Sequence, residues 1–398
     1  MRETLLLLGA RRLQVPAIHV ARKMGIRVVA IDPSPDAPGL ALADCGYVYD
    51  LADKKQCLDI AERERVNGVM TLAADFPTPM AAFIAQQLKL PGISPRTALL
   101  STNKRHMRAA LSDANVPCPI SISARSLDEA IHAMKSIGGP VIFKPAVSQG
   151  GRGITRLEPE ESLNSIKSAY EHASNATRGD GILVEEFVDG PEYSVEALTW
   201  DGLTTVVAVT EKLTSGYPHY VEIGHSQPPT CSTYDVEQLS RTASSGVAAL
   251  GIDWSASHSE IRLTCMGPRV MEIGARLGGG YINTHLVPLS TNVDIVGAAI
   301  EIALGRKPKI EISLKNKAAA IRFLVAKPGI IQSISGIEDV KNLTSFNDID
   351  IFVNPGDRVL PLSDADGRLG YVICTGENSK SAIEAAETAK SLISIKTV

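Results

Sequence analysis

Short apolar runs alternate with helix-spaced stretches through the first hundred residues. Between Thr4 and about Leu100 the runs LLLLGA, RVVAID, YVYD and GVMTL are separated by segments such as Ile18 to Met24, whose apolar positions follow a helical period. Brief apolar runs bounded by turns mark buried strands, and their alternation with helices predicts an open parallel sheet. The first turn, Gly9-Ala10-Arg11-Arg12, lacks the GxGxxG spacing that lets a backbone approach a pyrophosphate, so the expectation is a Rossmann-like shape without NAD.

The pattern changes after the turn at Lys89-Leu90-Pro91-Gly92. A helix is expected to begin near Thr102 and to end at Asn115-Val116-Pro117, with others over Leu127 to Ile137 and about Ser162 to Ala173. Between them VIFKP, ITRL, ILVEEFV and EYSVEAL read as mostly antiparallel strands. From Lys317 onward AAAIRFLVA and YVICTG alternate with Gly/Pro turns before a final amphipathic helix. The fold class is therefore α/β followed by α+β. The expected units are an amino-terminal domain over 1–100, a lid-bearing subdomain over 101–189, a second subdomain over 190–310 and a small C-terminal domain over 311–398.

Composition narrows the class without naming a function. An apolar fraction of 44% and a charged fraction of 21% are those of a globular protein. A net charge of -4, with basic residues scattered, gives no broad attraction for nucleic acid or anionic membrane. The four-leucine run before Arg11 is too short for a signal core or a span. Six cysteines with no CxxC pair argue against zinc and disulfides and make a reducing cytoplasm the expected location.

Several constellations carry chemistry. Ser148-Gln149-Gly150-Gly151-Arg152-Gly153 lies between two strands, and its glycines can turn backbone N–H groups over phosphate oxygens. The plain alternative is a hairpin connection. No Gly-Lys-Ser/Thr follows, so it is not a P-loop. Lys144 ends an apolar strand, where a lysine needs an anion or water, and a triphosphate supplies the anion. The break at Asp189-Gly190-Pro191 suggests a hinge that reads an adenine edge, with Glu192 accepting from ribose hydroxyls.

Glu260 and Glu272 flank Cys265-Met266-Gly267-Pro268. A hairpin centred near Met266 puts them opposite each other with Cβ atoms about 4.5–5.5 Å apart, so either a cation binds there or one glutamate stays protonated. Oxygen ligands beside a nucleotide select Mg²⁺ or Mn²⁺ over zinc. The alternative is an exposed hairpin with a shifted register. Arg276, in a glycine-rich run, is suited to clamp a carboxylate or a transferring phosphoryl group. His219 and His225 are candidates for substrate contact, although a lone histidine is more often structural, and Asp75, after a strand of the first domain, is a candidate to reach the same pocket.

Taken in order, Asn103-Lys104, Phe143-Lys144-Pro145, the 148–153 loop, Glu185-Glu186-Phe187-Val188, Gly190-Pro191-Glu192, His258-Ser259-Glu260 and Met271-Glu272 resemble the ATP-grasp superfamily across most of the chain. That resemblance implies a preATP-grasp domain, two subdomains gripping ATP and a small C-terminal domain. It implies that Lys104, Lys144, Ser148, Gly150, Gly151, Gly153 and Glu185 serve the nucleotide. Glu186 and Val188 would hold adenine through backbone, Glu192 the ribose, and Glu260 and Glu272 the magnesium ions. The stretch Val221 to His225 with Pro228-Pro229, and Glu272 to Gly279, are similar to L-amino acid ligases and related carboxylate-amine ligases, where the matching histidine and arginine lie at the substrate. Many ATP-grasp enzymes carry an asparagine two residues after the second metal glutamate. Gly274 stands there in this chain, so one contact is missing or supplied by water.

The implied reaction joins a small-molecule carboxylate to an amine through an acyl phosphate, with ATP and Mg²⁺ or Mn²⁺, release of ADP, and Arg276 and Lys144 assisting. Amino-acid-like substrates and a homodimeric assembly are the expectations. The rivals are a carboxylase-type enzyme that activates bicarbonate and a non-catalytic nucleotide-binding module. Loss of the paired glutamates would mark the second, and both are present.

Overall fold

The computed structural model describes residues 2–177, 180–313 and 317–398. Four parallel strands, in the order Cys45–Val48, Arg27–Asp32, Thr4–Leu8 and Gly68–Met70, make the amino-terminal sheet. All of Thr4–Leu8 is buried, as expected where elements cover both faces of a parallel sheet. The helix Ile295–Ala303 packs on the last of these strands so closely that a Cβ at Gly68 would lie 2.4 Å from the Ala303 carbonyl. No single described helix is long and apolar enough to cross a membrane.

A second sheet runs Ser121–Ala124, Ile182–Glu186, Val141–Pro145, Thr155–Leu157, all antiparallel. The helices Leu127–Ile137 and Leu163–Ala176 cover one face, each started by a serine, Ser126 or Ser162, that accepts a backbone N–H of the first turn. Instead of one helix starting near Thr102, two are present, Pro95–Thr102 and Lys104–Asp113. Asn103 makes the break: its extended backbone ends the first helix while its side chain accepts from the N–H groups of Arg105 and His106, capping the second.

The largest sheet has eight strands in the order Gly267–Gly274, Ser255–Thr264, Glu192–Trp200, Leu203–Thr214, Glu222–Gln227, Ala318–Leu324, Gly370–Gly376, Phe346–Ile351. Pairing of Gly224 to Gln227 with Ala319 to Arg322 carries it across residue 310 without a break. The run AAAIRFL is buried throughout because Ala318 and Ala320 face the helix Ser379–Leu392 while Ala319, Ile321 and Phe323 face the main core. A small sheet of Arg358–Val359, Gly329–Ser335 and Ser394–Thr397 completes the chain. A bridge from Leu72 to Leu277, with Ala73 N–H donating to the Leu277 carbonyl at 3.0 Å, ties the first sheet to the large one beside Asp75 and Arg276.

Candidate functional site

Glu260 does stand opposite Glu272, by a route the hairpin arithmetic does not contain. The turn is the two residues Cys265-Met266, with Thr264 opposite Gly267 and Ile261 opposite Val270. Continued regularly, that register would set Glu260 against Met271. A β-bulge between Glu260 and Ile261 absorbs Met271 and restores the glutamate pair. Arg108 donates to the carbonyl of the bulged Met271 at 2.6 Å, anchoring the irregularity from the helix Lys104–Asp113.

Lys104 opens that helix. Its ammonium donates to Glu272 Oε1 and to the Ser148 carbonyl, both at 2.8 Å, so it joins the glutamate pair to the glycine loop. Gly150, Gly151 and Gly153 have φ of +69°, +75° and +75°, and a Cβ at Gly153 would approach Ala176 Cβ to 2.7 Å. The loop is held on two sides. Gln149 Oε1 accepts the Asp75 N–H at 2.6 Å, and the Gly150 carbonyl accepts the Ala365 N–H at 3.2 Å. Arg152 pairs with Asp366 at 2.6 Å, so its charge is directed at the C-terminal segment.

Lys144 finds its anion inside the protein. Its ammonium is 2.5 Å from Glu185 Oε2, while Arg108 donates to both Glu185 oxygens at 2.8 and 3.1 Å. Burial favours the neutral form of each group. It lowers Lys144 to about 8 against the opposing pull of Glu185. Burial raises Glu185, but Arg108 and Lys144 overcome this and hold it at about 2. Glu185 therefore serves as an internal counter-ion, and Arg108, not singled out from sequence, is the residue that organises it.

At the hinge, the N–H groups of Glu186 and Phe187 donate to the carbonyls of Ile120 and Pro140, and the Val188 carbonyl accepts from Arg262 at 3.0 Å. Glu186 pairs with Arg269. Arg262 also donates to Glu192 Oε2 at 3.1 Å, placing one guanidinium against two groups that the resemblance alone gives to the nucleoside. Arg156 lies 3.9 Å from the Phe187 ring centroid and donates to the Tyr220 hydroxyl at 2.8 Å, so an aromatic and cationic wall flanks the hinge.

Glu192, Glu222 and Glu260 converge, with one carboxylate oxygen from each within 4.8 Å of the other two. Lys212 reaches all three, at 3.1, 2.5 and 2.7 Å. Burial opposes its charge, but the three carboxylates raise its pKa well above the ordinary value. Glu222 and Lys212 were not selected from sequence. In the sequence Lys212 carries no signal like that of Lys144, since it follows Glu211 in AVTEKLT instead of ending an apolar run.

His225 is fully buried 3.6 Å from Glu222 Oε2, with neither ring nitrogen hydrogen-bonded. Burial lowers it to about 3, so it is neutral at physiological pH. His219 instead faces the Ile154 carbonyl at 3.1 Å, beside the glycine loop. Arg276 donates to Asp75 Oδ1 at 2.7 Å, which brings together two candidates that lie 201 residues apart in the sequence. Gly274 has a visible purpose: a Cβ there would lie 3.0 Å from Arg276 Cζ, so its bareness makes room for the guanidinium. His258 bonds Glu196 at 2.6 Å, and Glu196 accepts from Asn283 at 2.6 Å. Burial disfavours the imidazolium, but Glu196 and Glu260 raise His258 to about 9.

Comparison with known proteins adds a family context. Residues 137–285 match the model of the ATP-grasp domain, and residues 322–398 match that of the L-amino acid ligase C-terminal domain 2. The uncharacterized protein y4rH of Sinorhizobium fredii is 28% identical over 318 residues, covering 80% of this chain, which spans 65% of that protein's length. A formate-dependent phosphoribosylglycinamide formyltransferase of Francisella tularensis is 23% identical over 396 residues, 97% of this chain and 96% of that protein. The L-amino acid ligase of Bacillus licheniformis has the same fold, with a TM-score of 0.86 at 22% identity over 100% of this chain and 99% of that one.

Proposed function

We propose that this ATP-grasp protein, which ends in an L-amino acid ligase C-terminal domain, is an ADP-forming ligase that joins an amino-acid-like carboxylate to an amine. The observation that carries the proposal is the bulge-set pairing of Glu260 with Glu272 beneath the glycine loop, on the strand that leads directly to Arg276. Lys104 links the loop carbonyl of Ser148 to Glu272, which supports reading the loop and the glutamate pair as parts of one site.

Each residue has a physical task. Lys104, at a helix N-terminus, and Lys144 supply cations for the phosphates, with the glycine loop above them. Glu260 and Glu272 fit a hard divalent cation such as Mg²⁺ or Mn²⁺: both are oxygen donors, and their chain partners Lys212 and Lys104 contact Oε1, leaving the second oxygen as a ligand. When bound there, the metal neutralises charge on the phosphates. Arg276 presents a guanidinium suited to a carboxylate, and Glu222 beside the neutral His225 presents an anion and an acceptor suited to an ammonium. The carboxylate oxygen attacks the γ-phosphorus and ADP leaves. The ammonium gives one proton to water, the neutral amine nitrogen attacks the acyl carbon, and phosphate leaves with the second proton that the nitrogen loses as the amide forms. The loop, fastened at Asp75 and Ala365, excludes water from the acyl phosphate between these steps.

Phosphate release from ATP and Mg²⁺, measured over amino acids singly and in pairs, tests the reading. Pair-dependent release with ADP as product, abolished by Glu272→Ala, is expected. Release with bicarbonate alone would assign the chain to the carboxylase type, and AMP formation would overturn the acyl-phosphate route.

A further inference from the structure

We propose that Lys212 is a positioning residue that fixes the nucleotide-, metal- and amine-directed carboxylates relative to one another, an inference that rests on the ligase reading above. Lys212 lies in the strand Leu203–Thr214 with its side chain 1% exposed. Its ammonium is 2.5 Å from Glu222 Oε1, 2.7 Å from Glu260 Oε1 and 3.1 Å from Glu192 Oε1. A lysine ammonium has three N–H donors and no acceptor, so the three carboxylates match its full donor capacity.

The three glutamates come from three different strands, Glu192–Trp200, Glu222–Gln227 and Ser255–Thr264. Lys212 pairs in register with Glu192 on one side and His225 on the other, so it bridges the middle of the sheet face. Each glutamate has a separate further task. Glu192 Oε2 takes Arg262 at 3.1 Å, Glu222 Oε2 faces His225 at 3.6 Å and Arg368 at 3.8 Å, and Glu260 stands across from Glu272. Three carboxylates within 4.8 Å repel one another unless a cation lies between them. Lys212 is that cation, built into the chain. It keeps the trio converged before any ligand arrives and links three binding functions through a single point.

The consequence is a coupled failure. Neutralising Lys212 lets the carboxylates separate, so affinity for nucleotide, metal and amine should weaken together. Loss of one glutamate should weaken chiefly one of them. Full-length Lys212→Met, Lys212→Arg, Glu192→Gln and Glu222→Gln enzymes are compared by MgADP calorimetry, by the Mg²⁺ dependence of turnover and by amino-acid KM, with thermal melting to check folding. Lys212→Met is expected to worsen all three constants by about tenfold or more, the scale of losing a supporting partner. Glu192→Gln should act mainly on MgADP and Glu222→Gln mainly on the amine KM. Should Lys212→Met fail to fold, Lys212→Arg decides: a planar fork retains charge but cannot direct three donors at three converging carboxylates, so at least two constants should still worsen. A Lys212 variant that leaves all three within about threefold of wild type, or moves only one, overturns the proposal. Wild-type enzyme without turnover on any substrate pair overturns the ligase reading itself, which is a separate and prior result.

Discussion

Glu185→Gln separates an internal counter-ion from a nucleotide ligand. The carboxylate is 3% exposed, accepts from Arg108 at 2.8 and 3.1 Å and lies 2.5 Å from the Lys144 ammonium. Burial by itself would raise its pKa, yet the two cations bring it from the ordinary 4.5 down to about 2. At about 1.36 kcal/mol per pKa unit, that drop of roughly 2.5 corresponds to about 3 kcal/mol in favour of the charged form when folded. Glutamine preserves the volume but leaves two buried cations without an anion, a loss of about 3–5 kcal/mol. Urea denaturation at neutral pH should show a destabilisation of that order. Because the folded pKa lies below the unfolded one, the contribution is complete above about pH 4.5 and is lost as pH falls toward about 2, so the gap between wild type and variant should narrow across that window. A paired Glu185→Gln, Lys144→Met variant should recover part of the loss, since it leaves one buried cation without an anion rather than two and keeps Arg108 on the Met271 carbonyl. A Glu185→Gln protein that loses MgADP affinity while losing less than about 1 kcal/mol of stability, within the range of an ordinary hydrogen bond, would refute this reasoning.

Three further outcomes follow from the same geometry. The Lys144 pKa of about 8 means that its cation is lost as pH rises through that value, so kcat/KM for ATP should fall above about pH 8. Lys144→Arg should abolish that limb, and a limb identical in both enzymes would contradict the assignment. Gly274→Ala sets a Cβ 3.0 Å from Arg276 Cζ, which should raise KM for the carboxylate substrate by about tenfold, or roughly 1.4 kcal/mol, without changing MgADP affinity in calorimetry. Gly278→Ala sets a Cβ 2.4 Å from His258 Nδ1, the nitrogen bonded to Glu196, and should cost about 1–3 kcal/mol in urea denaturation.

Much of the architecture was legible because it depends on local patterning. LLLLGA and RVVAID form neighbouring parallel strands, and the helix Leu127–Ile137 follows its apolar period. The glutamate pairing was legible only in outcome: the bulge at Met271 is held by Arg108, which is distant in sequence, and no turn count reveals it. The internal role of Glu185 depends on the same helix docking against the sheet that contains Ile182–Glu186. The role of Lys212 is not legible in the sequence because its partners lie on three strands whose order is set by long-range pairing. The steric part played by Gly274 is not legible either, since only the folded chain brings Arg276 Cζ to within 3.0 Å of where its Cβ would stand.

Isotope transfer from an ¹⁸O-labelled carboxylate tests the central claim most directly. In the proposed route one carboxylate oxygen becomes the bridge between carbon and phosphorus and departs with phosphate when the amine attacks. Mass spectrometry of the products should therefore find one ¹⁸O in the released phosphate and the other in the amide, with ADP as the nucleotide product. Unlabelled phosphate alongside amide, or label appearing in AMP, would contradict the acyl-phosphate account.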